Sequence, residues 1–178
     1  MVDANGNPLE GVYVDLNGDN IINDSDKYRF QSGTPDAFFG FTSSMSYKNL
    51  DLNFTLRGSL GNYMYNNFRS ANGYGQAILN QIGDYYGNGS IDALNTGFEN
   101  NQQFSDLYVE NASFMKLDNI SLGYTIPFEK ITLRASLIAQ NVFVLTNYTG
   151  LDPEIAGGID NNVYPKPRIY SLGLNFNF

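Results

Sequence analysis

From Leu50 onward the even positions read Leu50, Leu52, Phe54, Leu56, Gly58 and Leu60, while the odd ones read Asp51, Asn53, Thr55, Arg57 and Ser59. A period of two is the mark of a strand with one apolar face. The segment before it alternates as well, with Phe39, Phe41, Met45 and Tyr47 on one side and Gly40, Thr42, Ser44 and Ser46 on the other. Three further strands follow. Ile120, Leu122, Tyr124 and Ile126 face away from Asn119, Ser121, Gly123 and Thr125; Ile131, Leu133, Ala135, Leu137 and Ala139 face away from Thr132, Arg134, Ser136 and Gln140. The last strand sets Tyr170, Leu172, Leu174, Phe176 and Phe178 against Ser171, Gly173, Asn175 and Asn177. Met115 and Leu117 are out of phase with Ile120 onward, which predicts a bulge near Asp118. The fold class is all-β, built of antiparallel strands.

The connections separate two architectures. Tyr47 to Leu50 and Pro127 to Lys130 are tight turns, whereas the chain from about Asn62 to Glu110 and from Leu145 to Pro167 is long. Antiparallel order puts the short connections at one end of the strands and the long ones at the other. An outer-membrane barrel has that asymmetry, with short turns on the periplasmic side and long loops outside. The apolar face would then meet lipid and the Ser, Gly, Asn and Thr face a wet lumen. The competing architecture is a soluble β-sandwich, whose strands also alternate with one face buried. Tyr and Phe, 13 of each, supply interface aromatics, although Trp, the other girdle residue, is absent. The final strand runs out to Phe178, as expected of barrel strands rather than of a soluble domain. Five strands do not close a barrel, since the smallest need about 8. An open edge in hydrocarbon leaves backbone groups unpaired at several kcal/mol each. The strands are therefore expected to be the tail of a longer chain or to fold in company.

Composition narrows the chemistry. With 18 acidic against 10 basic residues the net charge is −8, which excludes a nucleic-acid surface built on a basic stripe. Zero Cys and zero His remove disulfides, thiolate ligands, the Cys nucleophile and the usual general base. The scattered carboxylates form no identifiable catalytic pair, so the chain is read as a non-enzyme. No apolar run approaches the ~18 residues of a membrane helix. The start, MVDANGNPLEG, lacks the basic and apolar regions of a signal peptide, so no export signal is expected within these residues.

One stretch carries recognisable ligand chemistry. In DLNGDNIINDSD the residues Asp15, Asn17, Asp19, Ile21, Asn23 and Asp26 occupy positions 1, 3, 5, 7, 9 and 12 of a calcium loop, Ile21 through its backbone carbonyl. Hard oxygen ligands suit a hard cation. Position 6, where the chain turns sharply, is Asn20, a residue type that tolerates the left-handed conformation. No helical spacing follows Asp26, so the expected role is a structural clip and not a switch. The plain alternative is a solvated turn made from the usual Asn, Asp and Gly. Tyr63, Tyr65, Tyr74, Tyr85 and Tyr86 could hold sugar or simply pack the long loop, and Asp152 with Glu154 could form a second acidic site or a turn set by Pro153.

Four blocks carry a family resemblance. YVENASFMKLDNISLGYTIP from Tyr108, QNVFVLTNYTGLDPEI from Gln140 and YPKPRIYSLGLNFNF from Tyr164 look like the C-terminal end of the SusC/RagA-type TonB-dependent transporters of the Bacteroidetes outer membrane. VDLNGDNIINDSDKY and the GTPDAFFGFTSSMSYKNLDLNFTLRGSLGN that follows resemble the calcium-like loop and hairpin before that end. The resemblance is weak between Asn66 and Asp106, where the family commonly carries a Trp. It implies that the chain is the C-terminal section, about five strands, of a transmembrane β-barrel with long extracellular loops. Residues 1–36 would be an outside loop with the calcium-like motif and 37–178 the five strands and two long loops. The whole barrel would have about 22 strands and a plugged lumen. It would import glycan fragments or peptides under a SusD-like surface lipoprotein, energised by TonB. The expected partners are the remainder of the barrel and plug, that lipoprotein, TonB through the missing N-terminal part, and outer-membrane lipid. The strand carrying Tyr170, Leu172, Leu174, Phe176 and Phe178 resembles the C-terminal signal for outer-membrane insertion. The fragment alone is expected to be inactive. The reading from another class is a secreted calcium-binding β-sandwich for carbohydrate binding or adhesion.

Overall fold

The computed structural model describes residues 1–79, 86–161 and 163–178. The chain forms two compact units, one of Thr34–Asn62, Ala112–Pro153 and Tyr164–Phe178, the other of Met1–Gly33, Tyr63–Asn111 and Glu154–Val163.

The first unit is a single antiparallel sheet. Its strands are β1 (Ala37–Tyr47) and β2 (Leu50–Leu60), then, after the short β3 (Tyr63–Tyr65) and β4 (Val109–Asn111) of the other unit, β5 (Phe114–Pro127), β6 (Thr132–Thr146) and β7 (Ile169–Asn177). The order is β1-β2-β5-β6-β7, each strand beside its sequence neighbour in the sheet. Tyr47 pairs with Leu50 across a two-residue turn in which Lys48 takes φ 53°, and Pro127 pairs with Thr132 across a four-residue one. The long connections leave from the opposite end, where Leu60, Phe114, Thr146 and Ile169 lie.

Register decides which face each side chain takes. Leu52 lies opposite Met45 on one side and Leu122 on the other; Leu122 opposes Leu137, and Leu137 opposes Leu172. One apolar row therefore runs across all five strands. The bulge expected near Asp118 is present: Thr55 pairs with Asn119 but Leu56 pairs with Leu117. Skipping Asp118 shifts the parity of β5 and puts Leu117 and Met115 back on the apolar face. Opposite it, β6 skips Asn141 and Val142, an even number, so its own parity is kept. Asn141 takes φ 53° there, an Asn in the left-handed region that other side chains avoid.

The apolar face is open over most of its extent. Leu137, Leu172 and Leu174 are 55, 74 and 59 % exposed. A continuous exposed apolar surface of this kind marks an interface. Among the described residues this unit contains one sheet, whereas a β-sandwich requires two. Among the described residues the outer edges of β1 and β7 are unpaired, so the sheet is not closed.

The other face carries the charges. Asp51 on β2 reaches over β5 to Arg134 on β6, with Oδ1 accepting from Nε at 3.1 Å and Oδ2 from Nη2 at 2.6 Å. The residue bridged is Gly123, where a Cβ would run into both the carboxylate and the guanidinium. Glycine is needed there for clearance. A second pair, Arg57 with Asp118, closes over the bulge, and its Arg lies 5.9 Å from the Phe114 ring centroid.

Replacing Gly123 by Val is expected to push the Asp51–Arg134 bridge open and cost on the order of 1–3 kcal/mol, the usual range for overpacking. Asp51→Asn added to that background should cost almost nothing more, because the interaction is already lost. Urea midpoints of the refolded single and double variants test this; full additivity would show that the two residues do not share one arrangement.

Candidate functional site

The stretch from Asp15 to Asp26 folds upon its own carboxylates. Asp15 accepts from the Gly18 N–H through Oδ1 and from the Asn20 N–H through Oδ2, both at 2.7 Å. Asn17 Oδ1 accepts from Asp19 N–H at 2.9 Å, and Asp19 Oδ1 from Ile21 N–H at 2.8 Å. Asp26 closes the loop, taking the Leu16 N–H at 2.9 Å and the Asn23 N–H at 2.8 Å. Asn23 caps the short 3₁₀ turn Asp24–Asp26, its Oδ1 accepting from Ser25 N–H. Asn20 takes φ 63°, the left-handed turn expected at the sixth position.

The hydrogen bonds orient the oxygens. Each carboxylate oxygen fixed by one N–H keeps a lone pair for a further partner. The N–H of Asn23, followed by that of Leu16, holds the Asp26 carboxyl below its usual range, and the Asp15 carboxyl lies close enough to contribute. Asp19 does not complete an acidic group: among the described residues no three Asp or Glu side chains come together in a way that could hold a metal ion. A bound cation would depend on Asp15 and Asp26 together with the amide oxygens of Asn17 and Asn23 and the Ile21 carbonyl. That neutral-rich donor set fits a calcium ion better than a softer metal.

The unit containing this loop is organised by a cation that pattern reading does not reveal. Asn66 caps helix α1 (Asn67–Asn72) by accepting from Arg69 N–H at 3.0 Å. The Arg69 side chain then donates to both oxygens of Asp92, at 2.6 and 2.8 Å, and to Glu110 Oε1 at 2.6 Å. Helix α2 is Gly75–Leu79, and Asp92 opens helix α3 (Asp92–Thr96), so one guanidinium ties α1, α3 and β4 together. Tyr108 packs beneath it, 5.8 Å from ring centroid to guanidinium carbon, and is 1 % exposed. Burial, with the charge of Asp92, pushes the Tyr108 hydroxyl up to about 12. The hydrogen bonds from Arg69 hold Asp92 below its ordinary value of 3.8 and in turn raise Arg69. No sequence signal marks this cluster, because its members lie 23 and 41 residues apart.

The remaining candidates separate clearly. Tyr65 donates to Ser70 Oγ at 2.8 Å and meets Tyr108 edge-on at 6.3 Å, so it is packed into the loop. Tyr63 and Tyr74 are half-buried, Tyr86 is 80 % exposed, and Tyr85 lies outside the described residues. Asp152 is buried and pairs with Lys166 at 3.3 Å, which accounts for its charge structurally. Tyr170, Leu172, Leu174 and Phe176 share the apolar face of β7, and Phe178 follows the strand at 95 % exposure.

Because the folded-state value of Asp92 is depressed, its contribution is fully present above the ordinary carboxylate range and disappears as pH falls through that depressed value. Hydrogen exchange of residues 66–79 and 86–111 is therefore expected to be flat from pH 7 to pH 5 after correction for intrinsic rates, and to accelerate only below about pH 4. Arg69→Met leaves two carboxylates against each other and should cost on the order of 3 kcal/mol at neutral pH. Protection unchanged in that variant would remove Arg69 from its central role.

No protein-family profile matches the chain. Individual proteins do. The TonB-dependent receptor SusC of Bacteroides thetaiotaomicron is 39 % identical over 188 residues, covering all of this chain and 18 % of the receptor. The TonB-dependent receptor P26 of Formosa agariphila is 31 % identical over 93 % of the chain and 19 % of its own length. Among solved structures, the RagAB peptide importer in its closed-closed state matches 98 % of the chain at a TM-score of 0.65 and 28 % identity, covering 20 % of the matched chain. Its open-open state matches 83 % of the chain at a TM-score of 0.63 and 30 % identity. The chain thus spans about a fifth of the length of the relatives it matches. These relatives are receptors and importers, not enzymes, and receptors of this type are outer-membrane proteins. Among the described residues no helix is long and apolar enough to cross a membrane, which says nothing of proteins that cross with strands. Sequence and fold together place this chain with the SusC/RagA-type TonB-dependent receptors.

Proposed function

We propose that the chain is the closing, C-terminal section of an outer-membrane TonB-dependent nutrient importer that takes up glycan fragments or peptides. The observation that carries the reading is the apolar row running without a charge through Met45, Leu52, Leu122, Leu137 and Leu172, on a sheet whose ion pairs Asp51–Arg134 and Arg57–Asp118 lie on the other face. Similarity to SusC over the full chain supports it. In this reading the apolar face meets outer-membrane lipid, the charged face lines the lumen, and the unpaired edges of β1 and β7 join the remainder of the barrel. The plug and the TonB-contacting segment belong to that remainder. A SusD-like surface lipoprotein covers the outside, and the exposed apolar residues of β7 with Phe178 recruit the insertion machinery. The 178 residues by themselves do not transport. Cells that carry only this chain as their receptor are expected to show no nutrient uptake; uptake by such cells would overturn the fragment reading.

Calcium, in the same reading, pins the outside loop Asp15–Asp26. Affinities on the order of 10⁻⁴ to 10⁻³ M are usual for extracellular calcium modules. At calcium about tenfold above its Kd such a site stabilises by roughly 1.4 kcal/mol. Asp15→Ala combined with Asp26→Ala is expected to lower the melting temperature of the full receptor further in calcium than in chelator, where only the loop's own hydrogen bonds are lost. Equal drops in both conditions would remove the ion from the account and leave a hydrogen-bonded turn.

A further inference from the structure

The charges of the sheet are sorted by face, with one exception at its margin. Asp51, Arg57, Asp118 and Arg134 are paired on the polar side. Arg168, immediately before β7, breaks the rule. Carrying the alternation of β7 back from Tyr170 puts Arg168 in the row of Leu172 and Leu174, on the apolar face. It is exposed, and among the described residues its side chain has no hydrogen bond or ion pair. Neighbouring Lys166 differs, since it is engaged by Asp152.

The position is built and not a frayed end. At the β6 bulge Asn141, held at φ 53°, donates through Nδ2 to the Lys166 carbonyl at 2.7 Å and to the Pro167 carbonyl at 3.3 Å. Pro167 itself restricts the chain, fixing its own φ and favouring extended backbone before it. These bonds fix where the chain enters β7. Tyr170 stands one step further along the same face at 69 % exposure. A guanidinium with five donors, on backbone anchored at the entry to β7 and two residues before Tyr170, has the chemistry of a membrane interface. It offers bidentate hydrogen bonds to a phosphate while the apolar row below accepts acyl chains.

We propose that Arg168 binds the phosphate of a lipid headgroup at the loop end of the sheet, which is the outer leaflet if the importer reading above is correct. The proposal rests on that reading for the presence of a bilayer, and on the geometry of Asn141, Pro167 and Arg168 for the site. The phosphate is held by Nη and Nε donors, Asn141 is a positioning residue, and no bond is made or broken.

The test uses the full receptor in detergent, titrated with phosphatidic acid and followed by native mass spectrometry. Diacylglycerol serves as the phosphate-free lipid and inorganic phosphate as the lipid-free anion. Wild type is expected to retain phosphatidic acid over diacylglycerol, with R168Q weakened about fivefold, the equivalent of one interfacial cation. R168K should recover part of the loss, and the melting temperature of R168Q should match wild type. Equal retention by wild type and R168Q overturns the proposal, as does wild-type binding of inorganic phosphate with no preference for the lipid. A receptor that reconstitutes into vesicles yet ignores Arg168 defeats this inference alone, whereas one that never enters a bilayer defeats the importer reading first.

Discussion

Backbone N–H and C=O groups need partners, and this constraint organises the sheet. Each strand of the five-stranded sheet pairs antiparallel with the next in that sheet, which satisfies the interior edges. Among the described residues the outer edges of β1 and β7 are left unpaired. The same constraint explains why the bulge at Asp118 is tolerated. It interrupts the ladder at one residue but returns Met115 and Leu117 to the apolar row, keeping the outside surface continuous.

Once the apolar face is committed, the charged side chains within the strands lie on the other face. On the sheet they cross the polar face in Arg–Asp pairs, one spanning β2, β5 and β6 over the bare backbone of Gly123. In the loop unit they collect around Arg69, where a half-buried guanidinium satisfies two carboxylates and roofs Tyr108. The two solutions differ in degree of burial. The bridge on the sheet is partly solvated and contributes modestly. The loop cluster is more enclosed, so its value lies chiefly in the penalty for removing one member.

The strands were legible because alternation is local: five of them, their tight turns and the Asp118 bulge can all be read from side-chain parity. The left-handed Asn20 was legible for the same reason, since the loop's ligand spacing demands a turn at that residue. The convergence of its carboxylates was only partly so. Spacing sets Asp15 and Asp26 together, but the path of Asp19 depends on which N–H groups its oxygens capture, here those of Ile21 and of the Asn17 amide. The Arg69 cluster and the short helices around it were not legible. They depend on contacts between residues far apart in a loop whose Asn and Gly content suits many turns equally well. Tyr65 shows the difference: in sequence it is one of several loop tyrosines, in the fold it is committed to Ser70 and Tyr108.

The central claim is that one face of this sheet meets lipid and the other meets water. Because the chain contains no Cys, single cysteines can carry a nitroxide at chosen positions without background from these residues. The most direct measurement places labels in turn at Ser136, Leu137, Ser171 and Leu172 of the full receptor in lipid vesicles and compares collision with oxygen and with a water-soluble nickel chelate. Oxygen should dominate at Leu137 and Leu172 and the chelate at Ser136 and Ser171, with a period of two along each strand. Equal chelate access at all four positions would contradict the account, since it would mean that the apolar row does not face lipid.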